Sequence, residues 1–270
     1  MLQDLRPCSG VLGTLDLLRL QREDVVLHAR LDRPHKRNAV SDALLAQLHA
    51  LFLNLPAGVR VVVLSGEGEH FCAGLDLSEV AERSVVEGIH HSRAWHAAFE
   101  AIQFGPVPVL AVLHGAVVGG GLELAAAAHL RVAERSAYYG LPEGQRGIFV
   151  GGGGSVRISR LIGVARMTDM MLTGRVFDAA DGQAMGVSNY LVDDGAGLAK
   201  AMELARRIAG NAPLSNYAIT QALPRIADLP AGEGLFLESL MSSIAQGDDA
   251  AKQRVRDFLE KRAAKVEGKR

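Results

Sequence analysis

The chain has 270 residues, 49% of them hydrophobic and 22% charged, the composition of a folded globular protein rather than a disordered one. Its 29 basic and 30 acidic residues leave a net charge of −1, which argues against nucleic acid or an anionic membrane surface as the main partner and leaves room for a local anion site. Cys8 and Cys72 are too few for a disulfide framework, so a reducing compartment, the cytoplasm, is expected; no secretory signal core and no run of ~18 uncharged apolar residues is found.

In chain order, valine-rich runs at 25–31 (VVLHARL), 59–66 (VRVVVLSG) and 107–115 (VPVLAVLHG) have the length and composition of strands buried on both faces of a parallel sheet. Between the first two, Ser41 is placed to cap a helix over 42–54 whose Leu44, Leu45, Leu48, Leu51 and Phe52 share one face. Residues 77–104 predict one or two helices, giving the order strand, helix, strand, helix, strand. Next comes VVGGGLELAAAAHL, residues 117–130. Its three glycines cost roughly 1 kcal/mol each relative to alanine inside a helix, so their use lies outside one. Short strands are expected at 130–134 and 136–139, and a second glycine run, VGGGGS, precedes an amphipathic stretch at 156–162. Asp178 opens another helix, and VSNYLV reads as the last strand. A boundary near Asp193–Gly197 divides residues 1–195 from a helical region, 196–270, interrupted near Pro213, Pro224 and Pro230 and frayed at its end. No fixed sequence period repeats.

Glycine lets backbone approach a ligand closely, and the first N–H groups of a following helix carry partial positive charge. A dinucleotide fold would need G-x-G-x-x-G with an acid about 20 residues later, whereas residues 115–121 read GAVVGGG. The other reading is an oxyanion hole, for which HFCAGLD (70–76) supplies a second glycine turn after a strand. Two ordinary tight turns are the plain alternative. No histidine cluster makes a convincing metal site, no G-x-S-x-G elbow is found, and Cys72 reads as a small buried thiol.

RPHKRNAVS (33–41), HFCAGLDLSE (70–79), PVPVLAVLHGAVVGGGLELA (106–125), YYGLPEGQRGIFVGGGGS (138–155), LTGRVFDAADGQAMGV (172–187) and FLEKR (258–262) stand in the order found in the crotonase, or enoyl-CoA hydratase/isomerase, superfamily, which the chain resembles over nearly its whole length. The resemblance implies an α/β spiral of strand-strand-helix turns followed by a C-terminal helical region that packs homotrimers, often paired into homohexamers. It implies a thioester oxygen held by the main-chain N–H groups of Leu75 and Gly120, with Glu123 activating water and Glu143 delivering a proton to C2 of a 2-enoyl-CoA. It further implies CoA contacts at Lys36, Arg37, Ala39, Ala73, Asp76 and, from a neighbouring subunit, Lys261, and an acyl pocket walled by Trp95 and Phe99. No cofactor or metal is implied, since CoA is part of the substrate. Enoyl-CoA isomerase is the first alternative, then a hydrolase or lyase on the same scaffold. A non-catalytic RNA-binding relative and a nucleotide-binding oxidoreductase lie further out. His114 and His129 depart from the asparagine and aspartate common at their positions, and the residues after Lys261 depart from the family's proline and phenylalanine.

Overall fold

The computed structural model describes residues 3–4, 10–79 and 82–260. β1 (Gln3–Asp4), β2 (Leu18–Glu23) and β3 (Val26–Leu31) are antiparallel neighbours. They are followed by α1 (Asp42–Leu53), β4 (Val61–Gly66), α2 (Val85–Gln103), β5 (Val109–Leu113), β6 (Ala116–Val118) and α3 (Gly120–Ala127). Then come β7 (Leu130–Glu134), β8 (Tyr138–Gly140), α4 (Gly154–Ile162), α5 (Val164–Thr173), β9 (Phe177–Asp178), α6 (Ala179–Met185), β10 (Tyr190–Val192) and α7 (Gly197–Ala209). One sheet has the order β1-β2-β3-β4-β5-β7-β10, and from β3 onward its neighbours are parallel. A smaller sheet has the order β6-β8-β9.

The valine runs are strands for the expected reason: every residue from Val61 to Ser65 and from Val109 to Leu113 is buried, as a parallel sheet covered on both faces requires. The third run, 107–115, holds β5, and the three residues after it form a second strand, β6, in another sheet. The chain leaves the large sheet after Leu113, turns at Gly115 (φ +52°) and enters the small one at Ala116. A Cβ on Gly115 would lie 2.1 Å from the Glu69 carbonyl oxygen, so the turn needs both glycine's dihedral and its size. β7 and β8 repeat the step from large to small sheet, and isolated bridges Val40–Leu75 and Cys72–Val117 lie beside it. The spiral is thus a structural repeat with no fixed sequence period.

Ser41 caps α1 by accepting from the Leu44 N–H at 3.1 Å, and its five predicted apolar residues are all buried. Asp178 caps α6 through the Asp181 N–H at 2.8 Å. Of residues 77–104, Leu77–Glu79 form a short 3-10 turn and Val85–Gln103 the long helix α2, set off by a capping box between Ser84 and Glu87. β2 escaped the sequence reading because only Leu18 and Leu20 of LRLQRE are buried.

The chain divides into two compact units, Met1–Arg207 and Ile208–Arg270. The buried Ala201, Met202, Leu204 and Ala205 of α7 belong to the first. The second contains α8 (Pro213–Ile226), α9 (Ala231–Gly247) and α10 (Asp249–Leu259). Pro213 occupies the first turn of α8 and Pro230 caps α9, as helix boundaries should, but Pro224 lies inside α8 rather than interrupting it. It sits in the last turn, where little helix remains to be broken. Lys261 and Cys8 lie outside the described residues.

Candidate active site

The segment 71–76 is laced on both sides. The N–H groups of Phe71 and Cys72 donate to the His114 and Ala116 carbonyls, while those of Ala73 and Asp76 donate to the Arg37 and Val40 carbonyls at 3.0 and 2.9 Å. Gly74 turns at φ +102° and its carbonyl accepts from the Val40 N–H at 2.7 Å. Leu75 N–H is left without a hydrogen-bond partner among the described residues, and so is Gly120 N–H at the start of α3, where helix geometry provides none. The two amides are neighbours: Leu75 N lies 3.5 Å from the position a Cβ on Gly120 would take. Gly121 allows this approach, since its Cβ would stand 2.2 Å from the Cys72 carbonyl oxygen. Cys72 itself is fully buried, which pushes its thiol up to about 12 and leaves it a packing group rather than a nucleophile.

All eight residues of α3 are buried, and Glu123 among them is 3% exposed. Its Oε1 accepts from the N–H groups of Gly152 and Gly154, both at 2.8 Å. Those amides belong to the second glycine run, and a Cβ on Gly154 would meet the carboxylate at 2.8 Å. Burial pushes the Glu123 pKa above its ordinary value, while the amides of Gly154, Gly152 and Gly151 and the Arg157 guanidinium pull the other way. Glu143 is 7% exposed, and its Oε2 is buried with no partner among the described residues. Burial is the main cause of a pKa raised to about 7, with the Glu123 carboxylate adding to it and Arg146 opposing it.

Both glutamates, with Leu75 and Gly120, line one cavity of about 540 Å³. Trp95 lines it too, its ring 2.8 Å from the position of a Cβ on Gly120. Phe99, the other expected wall, is fully buried behind Trp95 in an edge-on contact of 5.4 Å between ring centroids. The residues expected at CoA come together around the 73–78 segment. Ala73 is joined to Arg37, Lys36 Nζ donates to Ser78 Oγ at 3.3 Å, and Arg37 donates to the Tyr138 hydroxyl at 3.1 Å. Asp76 is committed elsewhere: Ser78 and the buried Arg33 hold its carboxylate and depress its pKa to about 2, and Arg33 also donates to the Ala39 carbonyl at 2.5 Å.

Two positioning groups were missed by the sequence reading. Arg157 donates from Nη1 to the Gly152 carbonyl at 2.9 Å and from Nε to Gln103 Oε1 at 2.6 Å. Ser92 Oγ donates to the Gly151 carbonyl at 2.6 Å. Together they fix the turn that holds Glu123. His129 belongs to the same framework, accepting from the Val109 N–H through Nδ1 and donating to the Gln103 carbonyl through Nε2; its burial lowers its pKa to about 4. His114 contacts the Gly68 carbonyl at 3.0 Å. Among the described residues, no three His, Cys, Asp or Glu side chains gather as metal ligands do.

The family model for enoyl-CoA hydratase/isomerase matches residues 21–269. Enoyl-CoA hydratase EchA19 of Mycobacterium tuberculosis is 30% identical, over 90% of this chain and 94% of its own. A short-chain-enoyl-CoA hydratase of Clostridium acetobutylicum is 30% identical over 92% of this chain and 96% of its own. A crystal structure from Rhodopseudomonas palustris CGA009 superimposes with a TM-score of 0.89 at 56% identity, covering 93% of this chain and 98% of that one.

Proposed function

The chain belongs to the enoyl-CoA hydratase/isomerase family, and from that membership we propose that it adds water to a 2-trans-enoyl-CoA to give the 3-hydroxyacyl-CoA. The observation that carries this reading is one cavity lined by Leu75 and Gly120, whose amides have no partner among the described residues, and by two buried carboxyl groups. The Leu75 and Gly120 N–H groups donate to the thioester oxygen. As the water oxygen bonds to C3, the double-bond electrons move toward the thioester oxygen, and the amides meet charge that exists only during reaction. Glu123 takes the proton lost by water, and Glu143 gives one to C2.

The division of labour follows from the surroundings. The two N–H bonds to Glu123 work against its burial and favour the charged form that a base needs, whereas Glu143, with one buried oxygen lacking a donor among the described residues, is the group that burial keeps protonated. Lys36 and Arg37, beside Ala39 and Ala73, are the proposed contacts for the nucleotide end of CoA, with Lys261 of a neighbouring subunit a further one; Asp76 acts by holding Arg33 in place. Hydration transfers no electrons, so the proposal calls for no redox cofactor, and the amides do the work a metal would otherwise do. No described helix is long and apolar enough to cross a membrane. We place the protein in the cytoplasm, with acyl-CoA rather than nucleic acid as its partner. We also propose a homotrimer or homohexamer, supported by exposed Phe236, Leu240 and Ile244 at four-residue spacing on α9.

The test is a panel of 2-enoyl-CoA thioesters, followed by loss of the conjugated-thioester absorbance, with wild type, Glu123→Gln and Glu143→Gln. Each variant should lose ~10²–10⁴ in rate. Wild-type rates in both would overturn the assignment. A 3-enoyl-CoA arm separates isomerisation: conjugation would then appear faster than wild type removes it.

A further inference from the structure

The pocket-facing side of α2 carries Gly88, His91, Ser92 and Trp95, successive at helical spacing and all lining the cavity. Gly88 has no structural reason to be glycine. Its N–H makes an ordinary helical bond to the Ser84 carbonyl at 2.9 Å, its φ lies outside the left-handed region, and a Cβ built on it would meet nothing within 4 Å. Gly120, Gly121 and Gly152 are different, since each is pressed by neighbouring atoms closer than 3 Å. Glycine is less favourable than alanine in a helix, so at residue 88 the helix gives up stability and the protein's own packing gains nothing. What the missing side chain leaves is room in the cavity.

The room is large for a short acyl group. At about 30 Å³ per heavy atom, the volume of one water in the liquid, a cavity of about 540 Å³ holds on the order of eighteen heavy atoms, which leaves space beyond a four-carbon acyl group even when the thioester end of the CoA arm, beside Ala73, takes a share. Beside Arg83 and Arg146, the lining includes apolar side chains that face solvent: Leu77, Ile148 and Phe149 are 52%, 47% and 69% exposed. Exposed apolar side chains grouped around a cavity mouth are the mark of a binding surface. They line the same cavity as Trp95, Gly88 and the residues that carry the two amides, Leu75 and Gly120.

We propose that Gly88 sets the acyl selectivity of this site and that the preferred substrate is a thioester whose apolar, unbranched tail extends well past four carbons. The inference rests on the hydratase reading and adds the class of acyl group to it. Each further methylene that reaches the Gly88 floor and the apolar mouth leaves water for protein surface, which raises the relative affinity of long tails. A large side chain at 88 blocks that path and leaves the reacting carbons untouched.

The experiment compares wild type, Gly88→Ala and Gly88→Leu on trans-2-butenoyl-, trans-2-octenoyl- and trans-2-decenoyl-CoA. Wild-type kcat/KM should be at least about tenfold higher for the eight- and ten-carbon substrates than for the four-carbon one. Gly88→Leu should lower the long-chain values about ten- to a hundredfold and keep the four-carbon value within about threefold. Gly88→Ala should fall between them. Unchanged or higher thermal midpoints would show that both variants fold, since alanine and leucine favour helix. A wild-type preference for the four-carbon substrate, or an equal loss on all three in Gly88→Leu, overturns the proposal. If no substrate is hydrated, the hydratase reading is what fails, and calorimetry with butanoyl- and octanoyl-CoA still decides about Gly88. Tighter octanoyl binding that Gly88→Leu abolishes supports the proposal, and equal binding of the two ligands refutes it.

Discussion

Glu123 and Glu143 are withdrawn from water to nearly the same degree, at 3% and 7% exposure, yet they are not equivalent groups. One sits on a helix and faces a glycine turn that sends it two N–H bonds; the other follows Pro142 in a loop and has a buried oxygen with no donor among the described residues. The difference teaches that burial alone favours a neutral carboxyl, and that main-chain donors decide which of two buried acids can carry charge. Residue type is the same at both positions, so the roles proposed for them come from the backbone around them.

The largest expected effects break the comparison outright. Glu123→Gln and Glu143→Gln should each cost ~10²–10⁴ in kcat, but their pH profiles should differ. Wild-type kcat/KM should fall as pH climbs through about 7, where Glu143 loses its proton, and residual activity in Glu143→Gln should lack that fall. Next in size is Gly121→Ala. Its methyl would press on the Cys72 carbonyl and part the two amides, costing ~10²–10³ in kcat with the circular dichroism spectrum retained.

Stability should sharpen the contrast further. The folded chain holds the Glu143 proton from the ordinary carboxyl pKa of 4.5 up to about 7, a range in which the unfolded chain has released it. Wild type therefore loses stability as pH rises through that window. At pH 8 Glu143→Gln should exceed wild type by up to about 3 kcal/mol in urea unfolding, and the two should converge near pH 4. The smallest effect is expected from Arg157→Met, a loss of kcat/KM at neutral pH well short of that in either glutamine variant. Removing a cation that lowers the Glu123 pKa should move the acidic limb of the profile upward. Arg157→Lys should leave that limb in place, because the charge is kept.

Local features of this molecule were legible in the sequence. The apolar face of α1, the Ser41 and Asp178 caps and the strand at 61–66 depend on residues within a turn or two of one another, and the pattern carries them. The two glycine runs stood out for a similar reason, being costly where they are. Their partners were another matter. The bonds from Gly152 and Gly154 to Glu123 span 29 and 31 residues, Ser92 reaches Gly151 across 59, and Arg33 meets Asp76 across 43. No periodicity records such distances. Of the small sheet, β8 overlaps the strand expected at 136–139, whereas β6 and β9, of three and two residues, are too short to show alternation, and β6 also continues the valine run of β5. The resemblance to a family supplied the two glutamates as a pair; spacing did not.

Leu75 carries one further consequence. If its contribution is an amide hydrogen, that atom is common to every residue except proline, and mutation of the side chain leaves it untouched. Neutral drift can then rewrite the letter at this half-buried position while the chemistry passes unchanged between generations. Replacing the peptide link by an ester, which deletes the hydrogen and keeps the leucine, is the alteration that heredity cannot make and synthesis can.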